Sequence, residues 1–363
     1  INDGLMAIFF FVIGLEIKRE LMAGELQSWK KSALPVFAAI GGMLIPVAVF
    51  LILHPSQEGM RGWGVPMATD IAFSLGILKL LGKRVPLSLK IFLTAFAIID
   101  DIGAVMVIAV FYSAKIYWNY VLISLLIYSI LIAVNVFKVN AKYFYLASGI
   151  VIWYLFLKSG IHPTIAGVLM AFVIPVKRDI GKLKFAKEMK KIAKDFKNSK
   201  TPGIFLNHNQ LEAVGRAECL VEKIQPYLQH LEHKLHAWVA YFIMPVFALA
   251  NAGVELFNGT SSGVNPIAWH IGIALLAGKV IGISLFSYIS VKTRLASLPE
   301  NVNMKMIVGV SFLGAVGFTM ALFINSLAFN DPNYINAGKM GIILSSLVAG
   351  VSGYFILRSA ISK

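Results

Sequence analysis

The sequence predicts an all-α polytopic membrane protein, and three observations carry that prediction. Of 363 residues, 58% are hydrophobic and only 14% charged. The mean hydropathy of +0.76 is too high for a soluble chain. The apolar residues also fall in runs of bilayer length, and the basic residues between the runs alternate in abundance. A net charge of +15 would suggest nucleic acid in a soluble protein, but twenty of the 51 charged side chains sit between residues 177 and 236. The rest of the chain reads as membrane, with no nucleic-acid partner. A single cysteine, Cys219, excludes an internal disulfide framework and a thiolate zinc site.

A bilayer core takes about 20 apolar residues per helix. About eleven such runs occur in order: 4–24, 33–53, 66–81, 87–112, 118–137, 142–158, 161–176, 237–254, 266–290, 304–328 and 336–358. Barrel strands would alternate in polarity every second residue, whereas VLISLLIYSILIAVNVF is apolar on all sides. The expected layout is a first transmembrane segment (1–176), a basic amphipathic loop (177–236) and a second transmembrane segment (237–363). The chain opens at Ile1, without an initiator Met and already inside an apolar run, so an upstream first segment is expected.

Orientation follows from Lys and Arg in the short connections. One side carries fifteen, among them Lys18, Arg19, Lys79, Lys90, Lys138, Lys292 and Lys363; the other carries only Arg61, Lys115, Lys158 and Lys339. The rich side is expected to be cytoplasmic, which places the long loop and the C-terminus there. A miscounted helix would have scrambled the alternation. Within the loop, Phe185, Met189, Ile192 and Phe196 recur at helical spacing among lysines. The stretch 182–197 suits either a helix on anionic lipid headgroups or a solvated charged linker. A second amphipathic stretch, about 209–235, is interrupted by Pro226 and leads into the eighth run.

Ionisable side chains deep in an apolar run are costly to insert and so read as functional. Asp70 lies in GVPMATDIAFSLG, Asp100 and Asp101 in TAFAIIDDIGAVMVIAV, and Lys279 in IALLAGKVIGISLF. The Asp pair is more than ten residues from Lys90 and from the 112–117 turn, too far to reach water by snorkelling. Adjacent helical residues point about 100° apart, so both carboxylates can border one cavity. In low dielectric they cannot both stay ionised without a cation, so metal and proton compete for the same oxygens. That competition is the least physics a cation/proton exchanger requires. Lys279, the one cation deep in a run, is the natural counter-ion. The third run, interrupted by Gly64, Pro66 and Thr69-Asp70, and the tenth, with Gly309, Gly314 and Gly317, suggest broken helices around a mid-membrane site.

These motifs, together with INDGLMAIFFFVIGLEIKREL, LKIFLTAFAIIDDIGA, IHPTIAGVLMAF, ANAGV at 250–254, AGKVIGIS and VGFTMALFINSLAF, closely resemble the NhaA-type bacterial sodium/proton antiporters over nearly the whole chain. The resemblance implies twelve helices in the complete protein, with inverted three-helix repeats at about 33–112 and 266–358 and two broken helices crossing at mid-membrane. It implies Asp101 as main sodium ligand and proton carrier, with Asp100 beside it and paired with Lys279 when sodium is absent. It further implies Asp70 and Lys279 offsetting opposite half-helix ends, and Thr69 at the crossing. Glu16, Glu20, Glu232, His233 and His236 fall on its cytoplasmic pH-sensing cluster, and His162 on a further pH-related position. Val280 and Ala237 stand where the family has proline. The segment that joins two protomers in the family would lie before Ile1, so a homodimer cannot be argued from these residues.

Two enzyme classes fit poorly. A prenyltransferase needs a third acid near Asp100-Asp101 and a second aspartate-rich motif, and the chain has neither. An aspartyl protease could draw on Asp70 and Asp101, but the nearby Lys279 and the broken-helix pattern weigh against it. The expected function is electrogenic, pH-regulated antiport in the bacterial inner membrane, of cytoplasmic sodium and lithium against external protons, with no cofactor. Sodium-coupled symport of a small organic substrate is the alternative, and it predicts a pocket with convergent polar groups.

Overall fold

The computed structural model describes residues 2–24, 29–53, 58–113, 116–136, 142–176, 180–199, 205–253 and 265–361. Of the positions singled out above, Ile1, Lys115, Lys138, Val254 and Lys363 lie outside the described residues. Among those described, every regular element is helical. The first half comprises α1 (Asn2–Ala23), α2 (Trp29–Leu53), a 3₁₀ segment Gly59–Met67, α3 (Ile71–Leu80), α4 (Leu87–Phe111), α5 (Trp118–Val136), α6 (Lys142–Ser159) and α7 (Thr164–Val173). After α8 (Lys182–Asn198), α9 (His208–Ile224) and α10 (Tyr227–Trp238) come α11 (Met244–Asn251), α12 (Ile267–Ile273), α13 (Lys279–Lys292), α14 (Met304–Gly314), α15 (Phe318–Ala328) and α16 (Pro332–Ile361).

Among the described residues, five helical stretches are long and apolar enough to cross a bilayer alone: Ser32–Leu53, Leu87–Phe111, Trp118–Asn135, Ile267–Lys292 and Pro332–Ile361. The pair α14 and α15, bent by 45° at its break, makes a sixth. Helices α3 and α7, and Phe144–Ser159 within α6, are apolar but shorter. The third run differs from its reading in sequence. It begins at Gly59, not 66, and its first half is a 3₁₀ segment carrying Arg61 and Trp63, a composition with no long apolar signature.

Pro226 sits at the N-cap of α10, where its missing N–H is harmless and its fixed φ starts the helix. A π-turn at Val239–Ile243 then carries α10 into α11, and a second at Ala274–Gly278 joins α12 to α13 immediately before Lys279. The long loop is structured: α8 packs against α9, with Arg216 3.4 Å from Asp195 and an Asn207–Gln210 capping box starting α9. In the bundle α2 lies along α13 so closely that a Cβ on Gly41 or Gly282 would strike the other's carbonyl. That contact fixes α13, and with it Lys279, beside α2 and α4.

Candidate functional site

The breaks in the two bent segments meet. Between the 3₁₀ segment and α3 the chain is extended at Ala68 and Asp70, and Asp70 N–H donates to Val316 O at 2.7 Å. Thr69 Oγ1 donates to Gly314 O, and Ser74 Oγ to Leu313 O, both at 2.7 Å, so first-segment hydroxyls cap the last carbonyls of α14. Asp70 does the reverse. Its Oδ1 accepts from Phe73 N–H at the start of α3, and its Oδ2 accepts from Thr319 N–H (3.0 Å) and Thr319 Oγ1 at the start of α15. One carboxylate therefore faces the positive ends of both half-helices. At the crossing a Cβ on Gly317 would lie 2.9 Å from Ala68 O, so no larger residue fits there without displacing the backbone.

Asp100 and Asp101 lie mid-way along α4 and are buried, as are Asp70, Thr69 and Lys279. Lys279 Nζ donates to Asp100 Oδ2 at 2.7 Å and to Thr69 Oγ1 at 2.8 Å. Its charge thus reaches the negative end of α14 through Thr69, and it also stands 5.8 Å over the Phe96 ring. Both Asp101 oxygens and Asp100 Oδ1 have no hydrogen-bond partner among the described residues. Three buried, unpartnered carboxylate oxygens on adjacent residues are expensive unless a proton or a cation meets them. Hard oxygen donors of this kind suit an alkali ion or protons. The five residues singled out from sequence, Thr69, Asp70, Asp100, Asp101 and Lys279, come together in this one place.

A second cluster lies toward the other end of α1. His236 Nδ1 is 3.8 Å from Glu16 Oε1, and Arg19 reaches Glu20 at 3.1 Å and Glu232 at 3.2 Å. Burial, reinforced by Glu16 and Glu20, pushes the Glu232 carboxyl above the usual range against the opposing pull of Arg19. The neighbouring Glu16 carboxylate raises the His236 imidazole. His233 is exposed on α10 and stands outside this network. His162 belongs elsewhere again: its Nδ1 is 2.8 Å from Thr164 Oγ1, its Nε2 is 3.9 Å from Asp3 at the opposite end of α1, and its ring meets Phe323 edge-on.

Two residues escaped the sequence reading. Thr319 is an ordinary threonine in an apolar run, 249 positions from the carboxylate it serves, and nothing local marks it. Arg19 was counted only as a topological charge, although its spacing from Glu16 and Glu20 along one helix could have placed it among them.

A family model described as Na+/H+ antiporter 1 matches residues 1–357. A Na(+)/H(+) antiporter NhaA of Oleidesulfovibrio alaskensis is 48% identical over 362 residues, which cover 99% of this chain and 80% of that protein. Another, of Bacteroides fragilis, is 45% identical over 366 residues, covering 100% of this chain and 84% of its own length. One of Koribacter versatilis is 43% identical over 364 residues, covering 99% and 79%. Matching family and relatives along its whole length, the chain belongs to the Na+/H+ antiporter 1 family.

Proposed function

We propose that the chain is a secondary antiporter that carries sodium, and lithium, out of the cytoplasm in exchange for external protons, electrogenically and under pH control, so serving sodium and pH homeostasis. The observation that carries this reading is the set of three buried, unpartnered oxygens of Asp100 and Asp101 beside the Lys279–Asp100 pair. In the proposed cycle the inward-facing site releases protons as sodium takes the aspartate oxygens, Lys279 yields Asp100, and the loaded site turns outward and exchanges sodium for protons. Two carboxylates can take two protons but only one sodium between them, so each turn moves net charge. The proton gradient supplies the driving force, because a charged, empty site is disfavoured inside the membrane.

In this reading Asp70 and Lys279 hold the crossing of two broken helices within inverted repeats of a twelve-helix family fold. The protein sits in the bacterial inner membrane with the 177–236 loop and C-terminus in the cytoplasm. Segments 1–176 and 237–363 form the transmembrane bundle. The cluster of Glu16, Glu20, Glu232 and His236, with His233 exposed beside it on α10, senses cytoplasmic pH, His162 acts near the other face, and the lysines of 182–197 engage anionic lipid. The symport alternative needs a polar substrate pocket. A cavity between α1, α6, α7 and α10 is lined by apolar and aromatic side chains.

The test is collapse of an imposed pH gradient in everted vesicles on adding sodium, then potassium, at a series of pH values. Sodium is expected to collapse it with the unmutated protein and not with Asp101→Asn. If neither responds while both are inserted and folded, symport moves to the front.

A further inference from the structure

Lys279 has a neighbour that takes no part in its hydrogen bonds. Its Nζ stands over the face of the Phe96 ring, 5.8 Å from the ring centre. Phe96 lies on α4 four residues before Asp100, so the ring and the Asp100 carboxylate share one face of the helix, a turn apart. The ring is wholly buried and its edges are held. A Cβ on Gly314 would lie 3.0 Å from Phe96 Cε1, and one on Gly42 3.4 Å from Cε2, so any larger residue at 314 would press on the ring. Gly314 also carries the carbonyl to which Thr69 Oγ1 donates. Lys279, Thr69, the end of α14 and Phe96 thus form one closed circuit of contacts.

An ammonium presents three N–H donors. Asp100 Oδ2 and Thr69 Oγ1 take one each, at 2.7 and 2.8 Å. When sodium takes the aspartate oxygens, Lys279 keeps Thr69, a neutral hydroxyl, and loses the carboxylate. Lys279 is itself wholly buried, so water does not step in, and a buried ammonium without a counter-charge weighs heavily against sodium binding. The face of an aromatic ring carries negative potential and attracts a cation most strongly where water is excluded. Because the ring holds no full charge, it steadies the released ammonium without blocking its return to Asp100. A second carboxylate in that place would keep Lys279 away from Asp100, and an aliphatic side chain would leave it bare.

We infer that Phe96 is a positioning residue for the exchange: its ring face receives the Lys279 ammonium as sodium displaces it from Asp100, and so sets how readily sodium binds. This role rests on the antiport reading, at the step where Lys279 yields Asp100. Sodium binding is read apart from transport, so failure of one is distinguishable from failure of the other.

The test uses the full chain with Phe96 replaced by monofluoro-, difluoro- and trifluorophenylalanine, which keep the ring's shape closely while draining its face stepwise, and by leucine. The dissociation constant for sodium is measured by calorimetry on the purified protein at fixed pH, and KM and Vmax for sodium in everted vesicles. Both the dissociation constant and KM are expected to climb with each fluorine, reaching about three- to tenfold for the trifluorinated ring. Vmax and the melting temperature should stay unchanged, and Phe96→Leu should match or exceed the trifluorinated ring. A flat series overturns the role, as does a loss confined to Phe96→Leu, which would make the ring a steric wall only. A series equally steep in a folded Lys279→Ala background also overturns it, because the ring would then act on sodium directly. Sodium affinity that follows the series in a protein that exchanges no protons supports Phe96 and removes the antiport reading alone.

Discussion

The buried site at the crossing and the charged cluster at the C-terminal end of α1 use the same residue types to opposite ends. At the crossing, Asp70, Asp100, Asp101 and Lys279 are buried, and the bonds from Lys279 to Asp100 and from Thr319 to Asp70 join elements distant in sequence. Around Glu16 the partners are partly solvated: His236 has a side chain 65% exposed and Arg19 36%. In the first region a missing partner costs several kcal/mol, so an oxygen left open demands a cation or a proton. In the second the ion pairs are individually worth about 1 kcal/mol or less, and what they can contribute is a change of charge near neutral pH. Burial makes one cluster suited to holding an ion and partial exposure makes the other suited to reporting on the solvent.

The largest contrast should come from Asp101→Asn. Exchange is expected to vanish, while the melting temperature holds or rises because an unpartnered buried carboxylate has been neutralised. Near-normal sodium-dependent gradient collapse would remove Asp101 from the mechanism. Next comes Lys279→Ala, which strands Asp100 without its cation. Stability should fall by about 3–5 kcal/mol, with the pH profile of exchange displaced and sodium binding weakened less than either. Unchanged melting together with an unchanged profile would take the ion pair out of the account.

Thr319→Val probes the crossing alone. Loss of the hydroxyl on Asp70 should lower stability by about 1–3 kcal/mol, seen as a lower thermal midpoint; a variant as stable as its parent would mean that the backbone bond from Thr319 suffices. The smallest effect belongs to His236→Ala. His236 is raised by the neighbouring Glu16 carboxylate, so its contribution is present in full below the ordinary histidine value and lost as pH rises through the raised one. The melting difference from the unmutated protein should therefore shrink on going from acid to alkaline pH, and the onset of exchange should move to lower pH by a fraction of a unit. A constant difference and an identical onset would place pH control elsewhere.

That Asp100, Asp101, Asp70 and Lys279 would be brought together was legible because charge inside an apolar run is conspicuous and needs no partner to be noticed. Their pairing was less so. That Lys279 reaches α14 through Thr69 depends on how two breaks cross, and Thr319 enters only when residues 249 positions apart are brought together. The 3₁₀ half of the third segment was misplaced because Arg61 and Trp63 dilute its apolar run, and the π-turn before Lys279 has no compositional signature at all. The long loop showed its amphipathic spacing in sequence, but not that α8 would lie on α9.

The close approach of Gly317 to Ala68 has a historical side. Because the backbones nearly touch there, the N-cap residue of α15 can have no side chain, and a helix capped by glycine supplies no side-chain cap of its own. Its cap comes from Asp70 in the other half of the chain. The second half therefore depends for the start of α15 on a residue that it does not itself encode. A change at Asp70 alone unseats two helices at once, so repair by a second substitution nearby in the same half is not available to it.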